Sequence, residues 1–176
     1  MAEPFVVLFV PGVTPGKWTR IWGERMPRQP LQVAPASGDT ALAALRDGSA
    51  QMAFLRDAAA DDEFHVIPLY REQPVVLAAR DSAVAAFDAL TLADLAGENV
   101  VTGEDAATAE LIATGTAVAV MPQSVARALS RRDVVARPVT DAADSGIGLV
   151  WPTRAQHPLI ETFIGIVRGR TANSSR

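Results

Sequence analysis

The side chains that could carry chemistry are few. Only two histidines are present, His65 and His157, and no cysteine. Without a thiol there is no disulfide framework and no thiolate nucleophile, and two histidines fall short of a typical zinc site. His157 precedes Pro158 as at a helix entry, and His65 opens an apolar run, so both read as structural residues. Asp61, Asp62 and Glu63 form a charge run of the kind that coats a solvated loop. No Gly-x-Ser-x-Gly nucleophile elbow occurs. Gly12-Val-Thr-Pro-Gly-Lys has the wrong spacing for a Walker loop, and its proline removes an amide. An enzyme is therefore not expected, nor a metal or cofactor, although fold alone does not exclude catalysis.

What remains is binding chemistry. Thr14 and Gly16 stand at the start of the first helix, where free amides and the helix dipole favour an anion. Ser37, Gly38 and Thr40 offer hydroxyls and amides at the start of the second. Lys17 or Arg56 can supply the cation for a carboxylate, and Thr102 and Gly103 form a further turn. The plainer reading competes throughout, because Ser37 and Thr40 are ordinary capping residues and exposed cations are common.

The elements that must position these residues follow from pattern. Gly38–Arg56 reads as a capped helix stopped by Gly48, then a buried strand, Met52-Ala-Phe-Leu. Before it come a strand at Phe5–Val10, a helix at Lys17–Met26 and a strand at Leu31–Ala34. Trp18, Ile21, Trp22 and Met26 mark one helix face, expected to pack on the sheet or on a partner helix. Strands at His65–Tyr70 and Pro74–Ala79 follow, then a helix at Leu92–Leu95 with Thr91 as its expected cap, a short strand at Val100-Val101, a helix at Ala106–Thr114 and a strand at Thr116–Met121. The chain closes with a helix at Pro122–Arg131, strands at Val134–Val139 and Ile147–Trp151, and a helix at Pro158–Arg168. A polar, frayed tail is expected at Thr171–Arg176. The alternation predicts an α/β fold with largely parallel sheets. In such sheets ligands bind beyond the carboxyl ends of the strands, here the turns at Pro11–Lys17, Ala36–Thr40, Arg56 and Thr102–Glu104.

Composition supports a packed protein: 176 residues, 49% hydrophobic and 20% charged. No apolar run is long enough to cross a bilayer, and no signal peptide is evident. The lack of cysteine fits the cytoplasm. A net charge of −4 and a pI near 5.1, with no basic patch, argue against a nucleic-acid surface.

Five pieces, in order, resemble the effector-binding domain of LysR-type transcriptional regulators. They are Ala44–Arg56, Leu69–Ala79, Leu90–Glu98, Ile112–Pro122, and Gly148–Trp151 with His157–Ile164. The resemblance implies a two-lobed fold like type 2 periplasmic binding proteins, with lobe I at 1–71 plus 145–176 and lobe II at 72–144. It implies a small effector, such as a carboxylate or aromatic acid, in the cleft between lobes, and a role in transcriptional regulation. It also implies a homodimer pairing the first helix (Trp18, Trp22) with a lobe II helix (Pro122–Arg131). Three departures stand out. Only Met1-Ala-Glu-Pro precedes the first strand, so no helix-turn-helix is expected on this chain and no direct DNA binding. Between Val101 and Ile112 about one βαβ unit, roughly 30 residues, is lost, which reduces lobe II. Gln51 stands where the family commonly has an aspartate. Three functions follow: an effector-binding module, a ligand-free dimerisation or interaction module, or an enzyme on the same fold.

Overall fold

The computed structural model describes residues 3–169; the polar tail expected at 171–176 lies outside the described residues. The chain divides into two compact units, Met1–Leu69 with Ile147–Arg176, and Tyr70–Gly146. The crossings fall at Leu69–Tyr70 and Gly146–Ile147, slightly off the boundaries read from the sequence. The strands β4 (Phe64–Glu72) and β8 (Ser145–Pro152) run through them unbroken, so composition does not change where the units do.

The first unit is built on a five-stranded sheet of order β2-β1-β3-β8-β4. β1 (Phe5–Phe9) lies parallel to β2 (Leu31–Pro35) and β3 (Met52–Arg56), whereas β8 is antiparallel to β3. The chain steps from β1 through α1 (Gly16–Arg25) to β2, then back past β1 through α2 (Gly38–Asp47) to β3. Right-handed crossovers in opposite directions place these helices on opposite faces. α1 packs against α5 (Ile160–Val167) over an aromatic core. Phe5 stacks on Trp22 with centroids 5.3 Å apart, Trp18 on Phe54 at 4.6 Å, and Phe163 fills the space between Phe5, Trp22 and Phe54. α2 buries Ala41 and Leu45, and Gly48 ends it with a φ of 83°, a conformation costly for a side chain.

The second unit is thinner. β5 (Pro74–Ala79) is buried along its whole length between β6 (Ala119–Pro122) and β7 (Val134–Pro138), pairing antiparallel with both. This corrects the expectation of largely parallel sheets. β5 enters directly from β4 with no helix between, so it runs against the strands that return from helices. Its side chains alternate between two small cores. Val75 and Leu77 meet Ile112 of α3 (Ala106–Ala113) and Val125 of α4 (Gln123–Ala128), whereas Val76 and Ala78 meet Val84, Leu90 and Leu95. The expected Thr91 cap is reversed: the Asp94 carboxylate accepts from the Thr91 amide and hydroxyl and closes a short 3₁₀ turn. Those two bonds hold the Asp94 carboxyl below its ordinary pKa.

Candidate ligand site at the carboxyl ends of the first unit's strands

Three turns meet at one end of the first unit's parallel strands. The Val10 amide donates to the Phe54 carbonyl at 3.1 Å and the Ala36 amide to the Phe9 carbonyl at 3.0 Å, so the turns after β1 and β2 start side by side with the end of β3. Arg56 ties the group together by donating from Nη2 to the Pro11 carbonyl at 2.9 Å. Its guanidinium therefore positions the β1–α1 turn, a narrower role than the open cation that residue type alone suggests.

Pro15 precedes α1 and offers no side-chain cap, and no acidic residue occupies the first turn. Among the described residues the Gly16 and Lys17 amides have no acceptor, and neither the Thr14 hydroxyl nor the Lys17 ammonium has a hydrogen bond or ion pair. A Cβ at Gly16 would meet nothing within 4 Å, so the side to which a side chain there would point is open. Uncapped amides at a helix start, with a cation and a hydroxyl beside them, attract an anion.

The second helix start is more self-contained. Ser37 Oγ accepts from the Thr40 amide at 3.2 Å and donates to Thr40 Oγ1 at 2.8 Å, and Asp39 already sets a carboxylate in the first turn of α2. The capping reading of Ser37 and Thr40 is thus what their geometry shows. Gly38 keeps an amide without an acceptor and open space beside it, and the Thr40 hydroxyl still has a proton to give.

Thr14, Gly16, Lys17, Ser37, Gly38, Thr40 and Arg56 therefore share one end of the first unit's sheet. Thr102 and Gly103 belong to the second unit, after the bridge between Val100 and Val118. Gly103 has a structural reason of its own: a Cβ there would collide with the Thr108 side chain. Thr108 is held because Asp105 Oδ1 accepts from its amide and hydroxyl, each at 2.8 Å, capping α3. These bonds, the amide's foremost, lower the Asp105 carboxyl pKa.

Sequence reasoning missed a hollow of about 370 Å³ at the opposite end of the same sheet, lined by Arg46, Asp47, Gly48, Gln51, Arg154 and His157 among others. Gln156 apart, its polar side chains are engaged internally. Gln51 Oε1 accepts from the Val6 amide at 2.7 Å and its Nε2 donates to the Gly48 carbonyl, so Gln51 extends the β1–β3 ladder with its side chain. Arg154 donates to the Arg46 carbonyl at 2.6 Å, Asp47 accepts from the Ser49 amide, and His157 Nδ1 accepts from the Leu159 amide. Arg46 grips Glu63 through two bonds of 2.8 and 2.9 Å, which lower the Glu63 pKa. No sequence motif marks this hollow, because its groups come from distant segments. The His157 ring rests against Phe5 and the His65 ring against Trp151, as structural residues do.

Trp22, one of the two residues named for the expected dimer contact, turns inward. It is 1% exposed, with its indole donating to the Gln29 carbonyl at 2.9 Å, and so belongs to the core of its own unit. Trp18 is committed to Phe54. Among the described residues no group of three or more His, Asp or Glu is placed to hold a metal ion, and no helix is long and apolar enough to cross a membrane.

Comparison with known proteins adds the family. The LysR substrate binding domain model matches residues 17–108 and 102–172, two pieces that overlap at 102–108. No match was found among curated proteins. Among solved structures, a mutant OxyR regulatory domain from Pseudomonas aeruginosa is 17% identical, with a TM-score of 0.75 over 96% of this chain and 97% of that one. The effector binding domain of a BenM variant is 13% identical, with a TM-score of 0.79 over 96% and 98%. Full-length CbnR complexed with its target DNA is 16% identical, with a TM-score of 0.74 over 96% of this chain and 70% of that one. At these identities the likeness establishes the fold, a two-unit α/β architecture of the periplasmic-binding-protein kind. The family-model match, spanning most of the sequence, establishes more: the chain belongs to the LysR substrate binding domain family.

Proposed function

We propose that the chain is an effector-binding module of a transcriptional regulator, and that its effector is a small organic acid. The carboxylate sits before α1, between the Gly16 and Lys17 amides, the Lys17 ammonium and the Thr14 hydroxyl. Gly38 and Thr40 provide further donors from the neighbouring turn. The observation that carries this reading is that α1 begins with no capping side chain and no acidic residue. Asp39 makes the start of α2 the poorer anion site. A carboxylate bound by two amides and an ammonium gains charge-assisted hydrogen bonds, each about twice as strong as a neutral one.

Thermal unfolding of the chain with acetate, succinate, benzoate and salicylate tests the proposal. A ligand at about 100 times its Kd stabilises by about 2.7 kcal/mol, which raises Tm by several degrees. Stabilisation by at least one acid, lost in Lys17→Ala, is the expected result. If no acid moves Tm, or if Lys17→Ala leaves every shift intact, the reading fails. Pairing of two copies through α1 would rest on the exposed Arg20 and Glu24 side of that helix, since Trp22 is taken by the core.

A further inference from the structure

We infer that the Val100–Thr102 edge of the second unit docks an extended, basic segment of a partner protein by β-strand addition. The three-stranded sheet ends at β6, beyond which Val100 bridges Val118 in parallel. Val118 donates to the Asn99 carbonyl at 3.0 Å and accepts from the Val101 amide at 2.9 Å. The amide and carbonyl of Val100 therefore point away from β6, and among the described residues they make no hydrogen bond. Val101 packs inward, whereas Val100 is 49% exposed.

An edge of this kind is a template for another strand. It lies open, and the family match breaks into two overlapping pieces at 102–108, immediately after it. Charge selects the occupant. Between Arg80 and Arg127 the sequence has seven carboxylates and no lysine or arginine. Glu98 and Glu104 flank the edge, both exposed and without an ion pair among the described residues. A second copy of this edge would set like charges against each other, which disfavours self-pairing. A strand that alternates lysine or arginine with β-branched residues supplies backbone partners, an apolar contact for Val100 and the opposite charge.

A ten-residue peptide of alternating lysine and valine, titrated into the isotope-labelled full chain and followed by NMR, tests this inference. Saturable binding should shift the Val100 and Thr102 amides and slow their hydrogen exchange. Glu98→Lys with Glu104→Lys should weaken binding by about tenfold or more, and Val100→Pro, which removes an outward amide, should abolish it. The charge reversal keeps the test decisive if the proline variant does not fold. The inference is overturned if the peptide does not bind or if an alternating lysine–glycine peptide binds equally well. It is also overturned if the shifts fall elsewhere, or if the chain alone protects Val100 in a concentration-dependent way, which would mean that a second copy covers the edge. None of these outcomes depends on whether an organic acid binds the first unit.

Discussion

The two ends of the first unit's sheet are both rich in polar groups, yet they use them differently. At the amino end of β3 the donors and acceptors of Gln51, Arg154, Asp47 and the Arg46–Glu63 pair are spent on one another and on the backbone. At the carboxyl end the Gly16, Lys17 and Gly38 amides, the Thr14 hydroxyl and the Lys17 ammonium have no partner among the described residues. A hollow is therefore a poor guide to a binding site by itself. Polar groups that the fold leaves unsatisfied, in a place solvent can reach, are a better one.

This contrast can be broken by mutation, and the largest effect lies beneath both ends. Trp22→Ala should cost about 3–5 kcal/mol of unfolding free energy, because it empties a core site ringed by Phe5 and Phe163. A urea midpoint close to wild type would instead return Trp22 to the interface role that the sequence suggests. At the spent end, Gln51→Leu leaves the Val6 amide unpaired and should cost roughly 1–3 kcal/mol without altering carboxylate binding. Loss of binding with full stability would invert the assignment of the two ends.

Ser37→Ala removes the α2 cap and should cost about 1 kcal/mol. At the unspent end, Lys17→Ala and Thr14→Val should change stability by no more than about 0.5 kcal/mol. Their effect should appear as roughly ten- to a hundredfold weaker carboxylate binding for Lys17→Ala, measured by calorimetry.

The pH dependence probes the spent end of the first unit and, separately, the α3 cap of the second. Glu63 has a lowered pKa through Arg46, and Asp105 through the Thr108 amide. For a depressed folded pKa, the unfolded chain binds protons first. The stabilisation is present above the ordinary carboxylate range and is lost as pH falls through the folded pKa. Denaturant midpoints compared between pH 7 and pH 3 should fall less in Glu63→Gln than in wild type. An unchanged acid limb would show that the Arg46–Glu63 contact contributes nothing in solution, as many exposed pairs do.

The sequence carries the first unit's plan well. Ser37 and Gly48 bound α2 through local capping chemistry, and the unbroken Met52–Leu55 run becomes a strand covered on both faces. Adjacent residues settle such features. The antiparallel placement of β5 is less legible, because it depends on where the chain crosses between units, and β4 runs through that point without a break in pattern. The site is half legible for the same reason. Glycine, threonine and lysine types mark a helix start that could take an anion. That Ser37 and Thr40 satisfy each other, and that Arg56 is drawn to the Pro11 carbonyl, depends on turns brought together by strand pairing. Gln51 looks like a lost aspartate in the sequence, but the fold makes it a ladder extension.

The most direct test of the central contrast is an NMR titration of the chain with benzoate and, separately, succinate. Saturable shifts should concentrate at the Gly16, Lys17 and Gly38 amides, with Gln51, Arg154 and His157 unmoved. Shifts centred on Arg154 and His157, with the start of α1 silent, would contradict that contrast.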